Sequence, residues 1–436
     1  MTSDTTPAQF TELGLIPPLL ARLTELAYQQ PTPIQAQAIP CVLAGRDLIA
    51  GANTGSGKTA TFALPLLQQI HAKQTEDSQN TPSSNKGNYV TGLVLVPTRE
   101  LAKQIADSIK SYAVHFNGAI KTVAVFGGVS ANTQMQALRG GTDILVATPG
   151  RLLDLISSNA IKLDRVKTLV LDEADRMLSL GFTQELSALL ALTPKKKQTL
   201  LFSATFPEQV RDLTQELLVE PVEIQVQSAD TSTLVQRVFT VNQGEKTALL
   251  AHLVKQHQWR QTLIFVNAKN SCEHLAEKLS KRGIAARVFH GDISQGARSR
   301  VLEAFKSGDI EVLIATDIAA RGLDIEKLPV VINFDLPRSP LDYMHRIGRS
   351  GRAGEVGLAL SLIDHEDYHH FKIIEKKNKL RLEREEVEGF EVDQDIIDAL
   401  PAVEKPMAAP EGSGKKKRKK KAFVYSDIWS GNSDLD

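Results

Sequence analysis

The sequence predicts an α/β protein in which two successive domains each contain a mostly parallel sheet. Short apolar runs alternate with amphipathic helical stretches along most of the 436 residues. The runs are nearly all apolar rather than alternating, as expected for parallel strands covered by helices on both faces. A small polar stretch interrupts the series at 228–232. We therefore assign one domain to 1–227, a linker to 228–232 and a second domain to 233–392.

The predicted strands fall into two series, one on each side of the polar stretch. Each run is followed by a segment with helical spacing, which gives the strand-helix-strand repetition of α/β proteins. A segment rich in Ser, Thr, Asn and Gln at 72–88 predicts a surface loop in the first domain. The first series comprises 47–50, 93–96, 122–126, 144–147, 168–171 and 199–202, and the second comprises 262–266, 286–289, 312–315, 330–334 and 358–362.

The composition is that of a globular protein without a membrane span. Hydrophobic residues make up 42% of the chain and charged residues 23%. No apolar run approaches the roughly 18 residues that a membrane helix needs, and the N-terminal residues lack a signal-peptide pattern. The two cysteines, Cys41 and Cys272, give neither a disulfide framework nor a zinc site. We therefore expect a cytoplasmic protein without a membrane partner.

The C-terminal residues differ from the rest of the chain. The strand-helix pattern fades after 393, and 415–421 is an unbroken run of seven Lys and Arg. The formal net charge of the whole chain is zero, so the residues outside this run include 44 basic and 51 acidic ones. A nucleic-acid site outside the run must therefore be a local basic patch. We predict a disordered basic tail at 393–436. Its basic run is interpreted as a tether for a nucleic acid, a nuclear import signal or a solvated tail.

A glycine-rich loop follows the first predicted strand and precedes a helical stretch at 61–70. Its sequence at 51–59 is Gly-Ala-Asn-Thr-Gly-Ser-Gly-Lys-Thr. In such loops the backbone N–H groups point at phosphates, the lysine adds a positive charge and the threonine hydroxyl binds Mg²⁺. The alternative is a turn without a ligand, and Ala52 departs from the usual glycine. The candidate nucleotide-binding residues are Thr54, Gly55, Ser56, Gly57, Lys58 and Thr59.

Acidic residues follow the predicted strand at 168–171. Ligands of open parallel sheets bind at the carboxyl ends of the strands, which is where Asp172 and Glu173 lie. Asp172 can hold Mg²⁺, and Glu173 can orient and deprotonate an attacking water. The alternative is a turn or a helix cap, since Asp is common at both. The phosphate loop in the same domain favours the catalytic interpretation.

The sequence Asp-Glu-Ala-Asp at 172–175 is the signature from which the DEAD-box RNA helicases take their name, and the chain resembles that family from about 10 to 390. The resemblance implies two tandem RecA-like domains, and the body is most similar to bacterial, RhlE-like members. Other matching motifs, in the family's order, lie at 31–35, 97–102, 127–128, 148–151, 203–205, 264–267, 295–298, 315–324 and 345–352. Ala27, Asn53 and Ser350 depart from the usual residues.

The resemblance implies an ATP site built from both domains. Gln35 has an amide that can pair with adenine, and Tyr28 or Phe10 could stack on the base. Without the resemblance, a helix cap would be the preferred interpretation of Gln35. Lys58 would contact the phosphates, Thr59 and Asp172 would bind Mg²⁺, and Glu173 would be the general base. From the second domain, Arg349 and Arg352 would act as arginine fingers, His345 would join the catalytic group and Asp324 would contact the ribose.

The resemblance also implies a coupling network and an RNA site. Asp175, Ser203 and Thr205 would link domain closure to hydrolysis, together with His345 across the cleft. The RNA candidates are hydroxyls, arginines, an amide and a glycine, which suit contacts with phosphate and 2′-OH groups and therefore sequence-independent binding. They are Thr98, Arg99, Gly128, Thr148 and Arg151 in the first domain, and Asn267, Arg298 and Thr316 in the second.

The sequence thus predicts an ATP-dependent RNA helicase that unwinds short duplexes or remodels RNA–protein complexes. ATP and Mg²⁺ are the expected cofactors. RNA is the expected partner of a monomeric protein, and ribosomal or RNA-decay proteins are candidate partners. Two rival hypotheses stay open, an ATP-controlled clamp that holds RNA without unwinding it and a DNA helicase of a related branch.

Overall fold

The part of the chain that the structure describes falls into two compact units, one within 9–226 and the other within 234–392. The computed structural model describes residues 9–51, 56–79, 87–116, 120–226, 234–320, 328–351 and 356–392. The predicted linker at 228–232 and the predicted tail at 393–436 lie outside these residues, and the domain boundaries stay a prediction. Each unit is described by itself.

Seven parallel strands form the sheet of the first unit. In chain order they are β1 (Leu48–Gly51), β2 (Val90–Leu95), β3 (Thr122–Val125), β4 (Thr142–Ala147), β5 (Thr168–Leu171), β6 (Gln198–Ser203) and β7 (Val222–Gln225). Their spatial order is β3-β4-β2-β5-β6-β1-β7, and all neighbours pair in parallel. Strands β2 and β5 align Leu95 with Leu171, so their carboxyl ends are level at one edge.

Helices cover both faces of this sheet. They are α1 (Pro17–Glu25), α2 (Pro33–Leu43), α3 (Lys58–Gln79), α4 (Arg99–Tyr112), α5 (Ala131–Leu138), α6 (Pro149–Ser157), α7 (Ala174–Ser179), α8 (Thr183–Ala191) and α9 (Glu208–Leu217), with a short 3-10 helix at Phe10–Glu12. Val94 and Val170 pack in a core with α1–α4, whereas Leu95 and Leu171 pack in a second core with α5–α9. Burial on both faces explains why the strands are continuous apolar runs.

The second unit repeats this architecture. Its strands are β8 (Leu234–Thr240), β9 (Thr262–Val266), β10 (Ala286–Phe289), β11 (Val312–Thr316), β12 (Val330–Asn333), β13 (Gly357–Ile363) and β14 (Arg384–Glu385). They lie in the order β10-β11-β9-β12-β13-β8-β14 and all pair in parallel. The helices are α10 (Lys246–His257), α11 (Lys269–Ser280), α12 (Gln295–Ser307), α13 (Asp317–Ala320), α14 (Pro340–Ile347) and α15 (Asp367–Asn378), preceded by a 3-10 helix at Gln243–Glu245.

The structure confirms the α/β class and differs from the sequence-based expectations at particular elements. Helix α3 extends to Gln79, so the surface loop expected at 72–88 is wrong for its first part. Strands β7, β8 and β14 are not among the strands predicted from the sequence. These strands are only partly buried and carry polar side chains, because they lie at or next to the edge of a sheet. They therefore lack the continuous apolar run that identified the central strands.

Candidate functional site

The glycine-rich loop follows β1 and leads directly into α3. Lys58 is the first residue of α3, is 7% exposed, and places Nζ 4.0 Å from Oδ1 of Asp172. Gly57 has a φ of +94°, and a Cβ there would lie 2.5 Å from Nε2 of Gln35, so glycine is required at this turn. Of the other predicted loop residues, Ser56 and Thr59 are half-buried, whereas Thr54 and Gly55 lie outside the described residues.

Asp172 is the first residue after β5 and is buried. Its backbone N–H donates to the carbonyl of Leu95 at 3.0 Å, and its Oδ1 accepts from the backbone N–H of Glu173 at 2.9 Å. Burial raises the pKa of the Asp172 carboxyl to about 6, while the Lys58 ammonium opposes this shift and the Glu173 charge adds to it. A buried carboxylate beside a phosphate loop fits Mg²⁺, which proteins usually bind through one or two carboxylates plus substrate phosphates.

Glu173 has a left-handed backbone conformation at the start of α7. Its φ and ψ are 53° and 51°, which a non-glycine residue adopts only at a cost in energy. This turn places the carboxylate directly after Asp172 and before the helix. Nη1 of Arg176 lies 3.4 Å from Oε2 of Glu173, and both side chains are buried. The strained backbone and the paired carboxylate agree with a functional role at this position.

Asp175, Ser203 and Thr205 form one hydrogen-bonded network within the first unit. The backbone N–H of Asp175 donates to the Ser203 hydroxyl at 3.3 Å. That hydroxyl donates to the carbonyl of Thr205 at 2.6 Å. The Thr205 hydroxyl in turn donates to Oδ2 of Asp175 at 2.7 Å. The structure thus brings these three predicted residues together at the ends of β5 and β6.

Gln35 completes a capping box at the start of α2. Its Oε1 accepts a hydrogen bond from the backbone N–H of Thr32 at 2.9 Å, and its Nε2 donates to the carbonyl of Gly57 at 3.2 Å. The capping role that the sequence left open is therefore present, and the same side chain fixes the phosphate loop. An amide has two N–H groups and two oxygen lone pairs, so Gln35 keeps one donor and one acceptor for a ligand. Its contact with adenine stays a prediction.

Phe10 and Tyr28 lie beside each other, with ring centroids 6.3 Å apart. Phe10 is 6% exposed, whereas Tyr28 is 39% exposed. The Tyr28 hydroxyl lies 3.1 Å from that of Tyr112. Tyr28 therefore has more surface available to a base than Phe10 has, and base stacking stays a prediction for both.

The predicted ATP and RNA residues of the first unit divide the carboxyl edge of its sheet between them. The ends of β1, β5 and β6 carry the phosphate-loop, acidic and coupling residues, whereas Phe10, Tyr28 and Gln35 precede β1, and these three strands are neighbours in the sheet. The loops after β2, β3 and β4 carry Thr98, Gly128 and Thr148, and these strands form the other half. Sequence order alone does not show this division.

Arg99 and Gly128 are in direct contact. Gly128 has a φ of +79°, and a Cβ there would lie 2.0 Å from Nη1 of Arg99. Glycine is therefore needed both for the backbone conformation and for the position of the guanidinium. Two residues far apart in sequence thus form one element of the candidate RNA surface.

The other RNA candidates of the first unit also serve the fold. The Thr98 hydroxyl accepts from the backbone N–H of Leu101 at 3.3 Å, which caps α4. Thr148 is the residue before α6. Nη1 of Arg151 donates to the carbonyl of Val129 at 3.0 Å. These bonds hold the loops of this edge in place, and RNA contact by these residues stays a prediction.

The RNA candidates of the second unit lie at the ends of β9 and β11 and in α12. The backbone N–H of Asn267 donates to Oδ2 of Asp335 at 2.8 Å, and Thr316 is the half-buried last residue of β11. Arg298 is only 5% exposed and lies over the ring of Phe289. The Arg298 side chain therefore stabilises the fold in this structure, and its contact with RNA stays a prediction.

The predicted catalytic residues of the second unit follow β12. His345 lies in the last turn of α14, and buried Arg349 follows that helix. The carbonyl of Arg349 accepts a hydrogen bond from the backbone N–H of Leu328 at 3.0 Å. Arg352 and Asp324 lie outside the described residues.

Comparison with known proteins shows the family. The DEAD/DEAH box helicase model matches residues 32–213, and the helicase conserved C-terminal domain model matches residues 245–354. The DEAD-box ATP-dependent RNA helicase CshA of Bacillus cereus is 39% identical over 377 residues, which cover 86% of this chain and 69% of that protein. This chain belongs to the DEAD-box ATP-dependent RNA helicases. The ATP-dependent RNA helicase DeaD of Escherichia coli is 40% identical over 385 residues, which cover 88% of this helicase and 59% of that protein.

Solved structures agree with the fold of this DEAD-box helicase. Saccharomyces cerevisiae Dbp5 bound to RNA and ADP BeF3 has a TM-score of 0.75 and 29% identity, covering 90% of this chain and all of that one. A DEAD box protein from Methanococcus jannaschii has a TM-score of 0.50 and 37% identity, covering 86% and 99% of the two chains. The predicted family and tandem RecA-like fold are confirmed, and the RhlE-like grouping stays a prediction. No helix in the described part is long and apolar enough to cross a membrane.

Two buried arginines of this DEAD-box helicase are not among the site residues that the sequence predicted. Arg176 pairs with the predicted base Glu173, and their opposite charges at a spacing of three residues were a signal for that pair. Arg346 is almost fully buried within the last sequence motif. Its partners come from distant parts of the chain, so no local pattern identifies them.

Proposed function

We propose that this helicase couples ATP hydrolysis to sequence-independent RNA binding and to local unwinding of short duplexes or remodelling of RNA–protein complexes. The supporting observation is the division of the sheet edge in the first unit. Candidates for phosphate binding, catalysis and coupling lie at the ends of β1, β5 and β6, and RNA candidates follow β2, β3 and β4. Because all these loops extend from one packed sheet, occupation of one half can influence the other.

In this proposal the first unit binds ATP and supplies the base. Lys58 binds the β- and γ-phosphates. Asp172 and the Thr59 hydroxyl hold Mg²⁺, which when bound neutralises charge that develops on the transferred phosphoryl group. Glu173 orients the attacking water and accepts its proton. Gln35 contacts adenine, and its bond to Gly57 ties base recognition to the phosphate loop.

The predicted second domain supplies the groups that make hydrolysis fast. Arg349 and Arg352 stabilise the charge of the transition state, and Asp324 contacts the ribose. Interactions that form only when both units engage one ATP accelerate hydrolysis rather than binding. RNA that engages both units at once favours that engaged state, so RNA stimulates hydrolysis by linkage.

The test compares nucleic acids of matched sequence. ATP hydrolysis is measured alone, with single-stranded RNA and with the corresponding DNA, and displacement of a short RNA duplex is followed over multiple turnovers. We expect RNA to raise the hydrolysis rate at least about tenfold and DNA to have little effect. Hydrolysis at one rate under all three conditions would contradict the proposal. Long-lived RNA binding with little displacement would identify a clamp instead.

The cellular setting is proposed from the family to which this chain belongs. We propose a cytoplasmic monomer that acts on RNA together with ribosomal or RNA-decay proteins. The basic run at 415–421 lies outside the described residues, and its role as an RNA tether rests on its charge. Deleting 401–436 should weaken RNA affinity and reduce its dependence on salt. An unchanged salt dependence would contradict the tether.

A further inference from the structure

Arg346 has a charged side chain that is almost completely buried. It lies in α14, three residues before Arg349, and is 2% exposed. Burying a cation costs free energy unless it is paired and hydrogen-bonded. The partners of Arg346 therefore indicate why an arginine occupies this position.

All five N–H groups of the Arg346 guanidinium have acceptors. Nε and Nη2 donate to the two carboxylate oxygens of Asp317, each at 2.6 Å. Nη1 donates to the side-chain oxygen of Asn333 at 3.1 Å and to the carbonyl of Asp335 at 2.5 Å. Nη2 also donates to Oδ1 of Asn267 at 3.2 Å. Only an arginine has five donors in this fixed geometry.

These acceptors lie at the carboxyl ends of three adjacent strands. Asn267 follows β9, Asp317 follows β11 and Asn333 is the last residue of β12, and these strands are neighbours in the sheet. The guanidinium also lies over the ring of Phe265, 4.9 Å from its centre. Arg346 thus holds three strand ends and helix α14 together as one rigid piece.

We infer that Arg346 is a positioning residue that links the RNA-facing loops of the second unit to the arginine finger. The inference rests on the proposed function, in which Asn267 and Thr316 contact RNA and Arg349 contacts the transferred phosphate. Asn267 is a direct partner of Arg346. Thr316 directly precedes Asp317, which is another direct partner. RNA at these loops favours one arrangement of the strand ends, and Arg346 imposes the same arrangement on α14 and Arg349.

The test measures coupling between nucleotide and RNA in the full chain. The coupling factor is the ratio of RNA dissociation constants without and with a non-hydrolysable ATP analogue. Arg346→Lys keeps the positive charge but loses the bidentate interaction with Asp317. We expect its coupling factor and its kcat at saturating RNA to fall at least about tenfold, while its affinity for the analogue alone stays unchanged. Arg384→Lys is the control. Arg384 also makes a bidentate interaction, with Glu375, but it lies in the edge strand β14 and contacts none of the partners of Arg346.

A second pair of variants keeps the test decisive if Arg346→Lys does not fold. Asn333→Ala removes one acceptor of Arg346 at a buried position with no proposed ligand contact. Ser361→Ala removes the other partner of Asn333, whose Nδ2 donates to the Ser361 hydroxyl at 3.2 Å, and a hydrogen-bond partner of Tyr343, but leaves every acceptor of Arg346 in place. We expect Asn333→Ala, and not Ser361→Ala, to reduce coupling severalfold.

The outcomes separate the two proposals. If the wild-type chain shows no RNA-stimulated hydrolysis, the proposed function fails. If the wild-type chain is stimulated but the Arg346 and Asn333 variants keep its coupling factor, the positioning role alone is overturned. A purely structural role would lower the melting temperature of these variants without changing the coupling factor of the folded protein.

Discussion

Oδ2 of Asp175 accepts two hydrogen bonds from Thr205, one from its backbone N–H at 3.0 Å and one from its hydroxyl at 2.7 Å. Asp175 belongs to the acidic motif after β5, and Thr205 lies just beyond the end of β6. The carboxylate is buried, so these donors replace the water it loses on folding. The two motifs are therefore held together as one piece.

Replacing Thr205 with Val should loosen this connection. Val keeps the branched shape and the backbone bond but has no hydroxyl. We expect the first unit to lose about 1.5–3 kcal/mol of stability, because a carboxylate loses a hydrogen bond. Duplex displacement per ATP hydrolysed should fall more than hydrolysis itself. Thermal unfolding and paired displacement and hydrolysis assays check this. Thr205→Ser keeps the hydroxyl, so equal losses in both variants would contradict the role of that group.

Glu173→Gln should separate binding from hydrolysis. The amide preserves the size of the side chain but cannot accept a proton, so kcat should fall by about 10²–10⁴. Equilibrium binding of ATP and RNA should persist, because neither depends on the base. Single-turnover hydrolysis and fluorescence anisotropy measure the two effects. Glu208→Gln changes an exposed acid in the first turn of α9 and is the control. Near wild-type turnover in Glu173→Gln would rule out this base.

Asp172→Asn should change how stability depends on pH. The folded chain raises the Asp172 pKa from 3.8 to about 6, so it binds more protons than the unfolded chain in this window. The contribution of Asp172 to stability therefore falls as pH rises from about 4 to 6. Asn does not titrate, so the free energy of unfolding of the variant should rise relative to that of wild type by on the order of 2 kcal/mol between about pH 4 and pH 6. Melting temperatures at pH 4 to 7 measure this difference.

Glu277→Gln provides a control of opposite sign. Hydrogen bonding to the Lys281 ammonium lowers the pKa of the Glu277 carboxyl, so its contribution to stability appears as pH rises. This variant should lose stability relative to wild type over the same pH range. A shift in the same direction for both variants would show that the pH effect does not come from the substituted groups.

Gly128→Ala should weaken RNA binding by displacing Arg99. The new Cβ would overlap Nη1 of Arg99, and the guanidinium, at the end of a flexible side chain, can move away while the fold persists. Loss of one phosphate contact should reduce the slope of log affinity against log salt by about 0.7. Gly140→Ala is the matched control, because Gly140 has a φ of +76° and no atom within 4 Å of its Cβ position. RNA titrations that change equally in both variants would assign the effect to backbone strain.

Ala27→Gly should stabilise the first unit. Ala27 has a φ of +57°, a conformation that costs an L-residue about 1 kcal/mol and glycine almost nothing. The greater freedom of glycine in the unfolded chain offsets part of this gain, so we expect the free energy of unfolding to rise by about 0.5 kcal/mol. Denaturant unfolding measures it. Asn159 also has a positive φ, at 54°, but Asn tolerates this region, and Asn159→Gly should therefore gain less.

The sequence by itself determined the fold class and the chemistry of the first unit. Strands such as β5 are buried on both faces, so their apolar runs are visible without a structure. The glycine-rich loop and the acidic motif are also local patterns, because a few consecutive residues must surround a phosphate or follow one strand. Positions such as Lys58 and Asp172 could therefore be assigned before their separation was known.

The tertiary structure decided which of these residues meet and which support the others. It alone placed Gly128 against Arg99, divided the sheet edge between the ATP and RNA candidates, and joined the Gln35 amide to the carbonyl of Gly57. It also revealed Arg346, whose acceptors come from the ends of three strands. Spatial strand order differs from chain order, and the partners of a buried charge are set by that spatial order. A linear pattern therefore contains the groups that react but not the contacts that hold them in position.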